Sequence, residues 1–346
     1  MYVNFIISQI TSSARSKSCP RFLANDFLHD ANRLMFEPIN RNNWIEQARA
    51  RLRSTDRSPA GWGYHRGAKI AVEPTVLAAL GLLATANDEL DRLIAVESAD
   101  RIASMQRDDG SIGVDDDPTS PEWAGPFAVL LWTATQSHSH EAENALKRLL
   151  DRRGEPFDQG NDRTVGHNSK LVGWPWIERT HSWVEPTAHA LLALAARKRL
   201  DHKYTREGVR LLIDRALPSG GWNYGNTTVY GRPLRPQPEP SGLALAALAA
   251  CRASSNAAIG AGIAYLNQSL ADIRTPRSLG WGLIGLTACG ARPEGADEML
   301  AEAYDRIADQ PTTAVDLGLL LLAAGTPIVR LVGGDPQPEI RQNVQN

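Results

Sequence analysis

Three glutamates precede a proline at the start of an apolar segment, and their carboxyl groups could exchange protons with a substrate. They are Glu73, Glu185 and Glu239. A carboxylic acid donates a proton near neutral pH when burial raises its pKa. A glutamate beside the first helical turn, ahead of a proline suited to that turn, instead favours the helix dipole, which lowers its pKa. Both interpretations stay open, and all three glutamates are candidate catalytic residues.

The loop over residues 176–183 carries the densest set of chemically useful side chains. Between two tryptophans it contains Glu178, Arg179 and His181. Arginine offers a bidentate fork to a phosphate or carboxylate, and histidine can share a proton. The loop is therefore either a clamp for a pyrophosphate or similar polar head group, or a surface ion pair. His65, in the matching loop of an earlier segment, favours the clamp.

Aromatic residues are concentrated at the same turns. Their π faces can contact an apolar chain and stabilise positive charge along it, by roughly 0.5–2 kcal/mol per face. Tryptophans in Gly-Trp pairs (Trp62, Trp174, Trp222 and Trp281) are expected to pack neighbouring segments together. Those outside the pairs are better cavity residues. With the polar residues above, the candidate substrate-binding set is Tyr64, His65, Trp176, Arg179, His181, Trp183 and Tyr224.

A repeat positions these residues. It consists of a Gly-Trp turn, a polar loop, Glu-Pro-Thr/Ser and an Ala/Leu-rich segment, and its clear copies begin at Gly61, Gly173 and Gly221. Weaker copies begin at Asp109 and Gly280. A period of about 50 residues indicates one supersecondary unit that is copied and stacked.

Two kinds of helical segment alternate along the chain. Segments with one apolar stripe are expected to be outer helices: 43–53, 88–105, 141–153, 204–217, 256–270 and 297–308. Segments apolar on all sides must be buried on all sides: 75–86, 127–135, 187–196, 241–251, 283–289 and 313–324. This alternation predicts an all-α fold, an (α/α)6 toroid of six helical hairpins in which the inner helices surround an apolar cavity.

Composition sets the remaining bounds. We expect a poorly defined arm over residues 1–40, the toroid over 41–330 and a disordered tail over 331–346. The formal net charge is −2 without a basic stripe, so nucleic acid is not expected as a partner. Three scattered cysteines suit a reducing compartment, and the apolar runs are too short to span a membrane. The expectation is a cytoplasmic protein.

The segment Gln-Arg-Asp-Asp-Gly-Ser-Ile-Gly over residues 106–113 resembles the Gln-x-x-Asp-Gly-x-Trp-Gly repeat of squalene-hopene and oxidosqualene cyclases, with Ile112 in the place of tryptophan. Together with the Glu-Pro-Thr-Ala helix start, the repeats over about residues 44–325 are similar to terpenoid cyclases and protein prenyltransferase β-subunits. Class II terpene cyclases protonate an alkene with the middle residue of Asp-x-Asp-Asp. The chain lacks that motif, and by similarity of the flanking Thr-Ala, Glu185 falls at the position of the catalytic aspartate.

The resemblance also bears on cofactors. Protein prenyltransferases hold zinc with an aspartate, a cysteine and a histidine, and the comparable stretch over residues 230–243 holds neither Cys nor His. We therefore expect no metal and no cofactor. The acidic run 115–117 is interpreted as a solvated or capping cluster, and His189 as a satisfied core histidine. Cys251 and Cys289, in apolar segments, are expected to be inert.

Three functions remain open. The first is a terpenoid-cyclase-like protein, an isomerase or cyclase if it is catalytic, that acts on a polyprenyl or triterpenoid-type substrate. It would have one ring where a full squalene cyclase has two, which implies a smaller substrate, a partner protein or altered chemistry. The second is a non-catalytic toroid that binds an isoprenoid or other lipid-like molecule and presents it to another protein. The third is a carbohydrate-active (α/α)6 enzyme in which two of the glutamates flank a glycosidic bond.

Overall fold

The computed structural model describes residues 43–54, 60–158, 165–253, 256–311 and 313–333. The chain divides into two units, residues 1–43 and 44–346, and the second contains the helical fold. The predicted arm, residues 1–40, lies outside the described residues, as does the predicted tail beyond residue 333. The domain bounds stay a prediction.

Helices dominate the described part of the chain. In chain order they are α1 (Asn43–Ser54), α2 (Val72–Ala84), α3 (Glu89–Ala103), α4 (Gly125–Ala134), α5 (Ser139–Asp151), α6 (Val184–Ala196), α7 (Lys203–Asp214), α8 (Pro238–Ala250), α9 (Ala257–Ser269), α10 (Pro276–Ala288), α11 (Ala296–Ile307), α12 (Ala314–Ala324) and α13 (Ile328–Leu331). A short 3-10 helix (Leu270–Asp272) follows α9. Two antiparallel strands, β1 (Thr228–Val229) and β2 (Arg232–Pro233), lie in the loop before α8.

The even-numbered helices α2 to α12 form a closed inner ring. Each packs against the next even-numbered helix, and α12 packs against α2. The odd-numbered helices α1 to α11 lie outside this ring. On the outside, Arg49 of α1 pairs with Asp91 of α3, and Trp44 of α1 contacts Tyr304 of α11 with ring centroids 5.8 Å apart. The predicted all-α toroid is confirmed.

A threonine or serine hydroxyl ties each clear Gly-Trp turn to its inner helix. Thr75 Oγ1 accepts from the Trp62 amide at 3.0 Å and donates to the Trp62 carbonyl at 3.1 Å. Ser241 Oγ binds the Trp222 amide and carbonyl at 2.8 and 3.1 Å. Thr187 Oγ1 binds the Trp174 amide and carbonyl in the same way. The Thr/Ser of the repeat therefore satisfies backbone groups of the turn, which otherwise have no helical partner.

The tryptophans of these turns pack hairpins together, as the sequence predicts. Trp174 and Trp222 are buried, and their indole Nε1 atoms donate to the carbonyls of Leu149 and Leu212 in the preceding outer helices, at 2.7 and 2.6 Å. Ile112 occupies the matching position in the second copy and is 1% exposed.

The last copy departs from this scheme. Gly280 and Trp281 lie inside α10, which begins at Pro276, so they form no turn, and the Trp281 ring contacts His189 of the inner helix α6. The prediction of a turn there is wrong because Pro276 at the first helical position and the Thr275 side-chain cap start the helix earlier.

No helix among the described residues is long and apolar enough to cross a membrane.

Two pairs of inner helices approach at backbone contact. A Cβ atom on Gly318 of α12 would lie 2.5 Å from the Leu77 carbonyl oxygen of α2. On Gly242 of α8 it would lie 2.1 Å from the carbonyl oxygen of Trp281. Glycine at these positions keeps the ring narrow.

Candidate functional site

Charged side chains occupy the second position of four inner helices. Glu73, Glu185, Glu239 and Arg277 are the second residues of α2, α6, α8 and α10. Because the inner helices start at the same end of the ring, the four side chains meet near the axis at that end. We call them the carboxylate ring. Sequence reasoning missed Arg277, although aligning Thr275-Pro276-Arg277 with the other helix starts would have found it.

Arg277 links two of the three carboxylates. Its Nη2 donates to Glu73 Oε1 at 2.6 Å, and its Nε donates to Glu239 Oε1 at 2.5 Å. Burial opposes the charge of Arg277, but the two glutamates outweigh it and raise its pKa above the usual value. Glu73 also accepts from the Tyr64 hydroxyl at 2.8 Å. Glu73 and Glu239 are therefore held as ion-paired carboxylates.

Glu185 is the member of the carboxylate ring that Arg277 does not pair. It makes no hydrogen bond or ion pair with any other described residue. Burial is the main cause that raises its pKa to about 7; the negative charges of Glu239 and Glu73 act in the same direction, and Arg277 opposes them. The expectation that the helix dipole lowers this pKa is outweighed, because burial disfavours the charged form more strongly. At neutral pH a large fraction of Glu185 therefore carries a proton.

Two tyrosines border the carboxylate ring. Tyr64 is 36% exposed and Tyr224 is 53% exposed. Burial raises the pKa of Tyr224, and the nearby charges of Glu185 and Glu239 raise it further. The Tyr224 carbonyl accepts from the Val184 amide at 2.9 Å, which fixes the loop beside the start of α6. Both tyrosines are placed to contact a molecule at this end of the ring.

An aromatic layer lies one turn below. His189, four residues after Glu185 on α6, is 6% exposed and contacts Phe127 of α4 and Trp281 of α10, with ring centroids 4.4 and 5.8 Å apart. Because α6 and α10 are not neighbours in the ring, the contact between His189 and Trp281 crosses the ring interior, whereas Phe127 lies on the neighbouring helix α4. Phe127 and Trp281 are 1% and 2% exposed. His189, Phe127 and Trp281, the side chains that would contact a ligand chain inside the ring, therefore fill the space along its axis.

His189 differs from a satisfied core histidine. Its Nε2 has no hydrogen-bond partner among the described residues. Burial lowers the pKa of His189 to about 3, and the positive charge of Arg277 contributes. The imidazole is therefore neutral over the physiological pH range.

The residues of the 176–183 loop do not form one clamp. His181 stacks on Trp183 with centroids 4.6 Å apart and faces Phe157 at 6.0 Å, and burial lowers its pKa. Arg179 is exposed. Trp176 meets Trp123 edge to face at 5.0 Å. Each stays a predicted substrate contact, but at separate places.

His65 lies apart from the carboxylate ring. It is exposed and lines a cavity of about 480 Å³ beside Trp62, Arg66 and the loop that precedes α12. Its Nδ1 is 3.2 Å from the Arg66 carbonyl oxygen.

The described residues offer no metal site. No group of three or more His, Cys, Asp or Glu side chains among them is arranged to hold a metal ion. Burial raises the pKa of the Cys251 and Cys289 thiols to about 12, so both are unreactive thiols at neutral pH. In the acidic run, the Asp115 carboxylate accepts from the Ser120 hydroxyl and the Asp117 amide, so it caps its own loop.

Solved structures match this architecture. MstE, a type II terpene cyclase from Scytonema, aligns over 77% of this chain and 78% of its own with a TM-score of 0.53 and 17% sequence identity. This chain has the fold of a type II terpene cyclase. An MstE variant in complex with its substrate, geranylgeranyl dihydroxybenzoate, aligns over 84% of this chain and 97% of its own at a TM-score of 0.53 and 15% identity. A protein from Actinoplanes aligns over 85% of this chain and 99% of its own, with a TM-score of 0.51 and 12% sequence identity.

The likeness is structural. No protein-family model matches the sequence, and no curated protein is significantly similar to it in sequence. The fold is therefore established by comparison, while the role of each residue in the carboxylate ring follows from its own geometry.

Proposed function

We propose that this chain is a terpenoid-cyclase-like protein that takes a polyprenyl-type substrate at the carboxylate ring and protonates one of its alkenes through Glu185. The observation that supports it most is the raised pKa of Glu185, about 7, in a carboxyl group without a partner among the described residues. A general acid works best when its pKa lies near the working pH. The cyclase fold and the complex of MstE with a geranylgeranyl compound add support.

The charges around Glu185 suit a cationic intermediate. Glu73 and Glu239 carry two negative charges and Arg277 one positive charge, so the carboxylate ring is net negative even while Glu185 is protonated. When Glu185 gives its proton to an alkene carbon, the C=C π electrons form the new C–H bond and leave a carbocation. The negative ring and the π faces of Phe127 and Trp281 stabilise that cation. A second C=C of the same chain attacks the cation and forms the ring C–C bond, which moves the positive charge to another carbon. The Glu185 carboxylate then takes a proton from a neighbouring carbon, which completes an isomerisation without any other reactant.

The filled axis sets a condition for this function. A polyprenyl chain reaches below the carboxylate ring only if Trp281 or Phe127 changes its rotamer. Tyr64, Tyr224 and Trp176 would contact the part of the substrate that stays outside. We retain His65, Arg179, His181 and Trp183 as further contacts and the cytoplasm as the compartment, which the unpaired Cys251 and Cys289 support.

The test is turnover in heavy water. The protein is equilibrated in D2O and incubated with geranylgeranyl diphosphate and with geranylgeraniol, and products are analysed by mass spectrometry. Protonation by Glu185 predicts cyclised products that carry one carbon-bound deuterium, and Glu185→Gln should abolish them. The surface variant Glu143→Gln is the matched control because its carboxylate pairs with Arg197 and Arg199 on the outside.

The alternatives give different results. A non-catalytic carrier would retain a prenyl lipid in both the wild type and Glu185→Gln and form no product. Protonated Glu185 beside ion-paired Glu239 also resembles the acid and carboxylate of a glycosidase. A protein that ignores prenyl compounds but binds or cleaves an oligosaccharide would refute the proposal in favour of that enzyme class.

A further inference from the structure

A second charged cluster joins the loop between α3 and α4 to the outer helix α5 and its end. Three arginines donate to Glu122: Arg107 at 2.9 Å, Arg148 at 2.9 Å and Arg152 at 3.4 Å. Asp109 lies 3.5 Å from Arg148 Nε. Three guanidinium groups thus share two carboxylates at close range, and a third carboxylate, Glu178, acts on Arg148 and Arg152 from farther away.

Arg148 and Arg152 line a cavity of about 30 Å³ at the end of the ring where the inner helices start. We call it the arginine pocket, and its walls include Ser111, Glu122, Gly125, Arg148, Arg152 and Pro186. A buried water needs about 10–15 Å³ of such space, so the pocket holds roughly two waters. Two oxygens of a phosphate or carboxylate group would occupy the same places, while the rest of the group would lie at the open side of the pocket.

One buried donor at this pocket lacks a hydrogen-bond acceptor. The Arg152 side chain is 10% exposed, and its Nε has no hydrogen-bond partner among the described residues. Arg148 Nε and the Ser111 hydroxyl, by contrast, both lie near the Asp109 carboxylate. A buried donor without a partner loses its hydration and gains nothing in exchange, which destabilises the fold. Such a donor beside a cavity indicates that an acceptor belongs there, and guanidinium groups favour oxyanions.

The backbone adds to the same preference. Gly125 is the first residue of α4 and Pro186 the third of α6, so two helix N-termini face the pocket. The positive ends of helix dipoles attract anions. A Cβ on Gly125 would meet no atom within 4 Å, so there is open space at this wall. The exposed Glu178 on the facing loop acts on Arg148 and Arg152 through its charge at longer range, and it opposes an incoming anion.

We propose that the arginine pocket binds a phosphate-type oxyanion and that this anion is the head group of the substrate. Pro186 follows Glu185 directly, so a head group in the pocket lies beside the turn that carries the proton donor. The identification with a substrate head group rests on the proposed function. The anion site itself does not.

The site is tested by titration calorimetry on the full chain at constant ionic strength set with KCl. The probes are inorganic phosphate, diphosphate, geranylgeranyl diphosphate and uncharged geranylgeraniol. Arg152→Gln should weaken phosphate and diphosphate binding at least tenfold, because the remaining Arg148 is shared with Glu122. Gly125→Leu should do the same by filling the pocket without removing a charge. Glu122→Gln should tighten binding severalfold, since it removes the competing carboxylate.

Arg210→Gln, an exposed arginine on outer helix α7, is the matched control and should bind as the wild type does. Circular dichroism checks that each variant is folded. If the variants change the affinity for geranylgeranyl diphosphate in the same order as the affinity for phosphate, and the affinity for geranylgeraniol does not follow that order, the head group is the ligand. If only the free anions follow it, the pocket binds a free anion and the head-group assignment is wrong.

The pocket is refuted if phosphate binds no better than chloride, or if phosphate binding is unchanged in both Arg152→Gln and Gly125→Leu. Neither outcome touches the role of Glu185, because Glu185→Gln should abolish turnover and keep phosphate binding. Conversely, turnover that survives in Glu185→Gln but falls in Arg152→Gln would refute the proposed acid and leave the pocket standing.

Discussion

Glu185→Gln should stabilise the protein at pH 8 and leave its stability unchanged at pH 4. Folding raises the pKa of Glu185 from 4.5 to about 7. Between these values the folded chain binds more protons than the unfolded chain, so the free energy of unfolding decreases as pH rises through this window. Above the folded pKa the whole penalty of ionising a buried carboxyl group is present. Glutamine stays neutral at every pH and avoids it.

The difference between about 7 and 4.5, at about 1.36 kcal/mol per pKa unit, gives about 3 kcal/mol as an upper value. Residual solvent contact of this half-buried side chain reduces it toward ~2 kcal/mol. In a chain of this size each kcal/mol moves the melting temperature by about 2 °C. We therefore expect a melting temperature about 4–6 °C above the wild type at pH 8, and no increase at pH 4.

Urea unfolding followed by circular dichroism at pH 4, 6 and 8 measures the effect. Comparison of the variant with the wild type at each pH cancels His189, whose lowered pKa makes both proteins lose stability as pH falls below 6.5. Glu239→Gln is the matched control. It should destabilise at pH 8, because Arg277 then loses one of its two ion-pair partners.

Two results would refute the reasoning. A stability difference between wild type and Glu185→Gln that is the same at pH 4 and pH 8 would mean that Glu185 has an ordinary pKa. A loss of stability at every pH would mean that Glu185 acts as a helix-start residue, which is the structural interpretation of the Glu-Pro repeat. Stabilisation by Glu239→Gln as well would show that crowding of like charges, rather than burial of one acid, dominates the site.

Three further outcomes follow from the packing. Arg277→Gln should destabilise by ~2 kcal/mol at pH 8, because Glu73 and Glu239 lose their cation. This is less than the ~3–5 kcal/mol of a fully buried pair because the Arg277 side chain is 40% exposed; urea unfolding checks it. Gly318→Ala should cost about 1–3 kcal/mol in urea unfolding, because its Cβ would collide with the Leu77 backbone. Trp281→Ala should lower the melting temperature yet strengthen binding of geranylgeraniol, since it opens the axis; unchanged or weaker binding in calorimetry would contradict a substrate path through the ring.

The fold was predictable because burial alone decides it. Segments such as 187–196 lack a polar face, and only an inner position of a helical ring buries all sides. The sequence shows that Thr75 belongs to a repeat, but it does not show that the Thr75 hydroxyl bonds to the Trp62 backbone. The repeat failed at Trp281, because a Gly-Trp pair in a helix has the same sequence as a Gly-Trp pair in a turn.

The site was predictable only in part. The three glutamates share a sequence motif, yet Arg277 reaches from another helix to Glu73 and Glu239 and leaves Glu185 without that partner. Charge pairing across the ring is a tertiary property without a local signal. The arginine pocket was missed for the same reason, because Arg148 and Arg152 lie on an outer helix and its end, where charged residues are ordinarily solvated.

On the proposed function, the pairing by Arg277 would let one ring of charges hold a proton and still favour its transfer. Without the arginine, three neighbouring carboxyl groups would share the free-energy cost of ionisation in a buried site. Each would then be a weak acid in a strongly negative site. With it, two carboxylates pair with the guanidinium, and burial raises the pKa of the third, which has no such partner. After transfer, the new Glu185 carboxylate gains the attraction of the same guanidinium, while the net negative ring still attracts the cation that forms below it. A single neutral substitution of Arg277 should therefore harm proton transfer as well as stability.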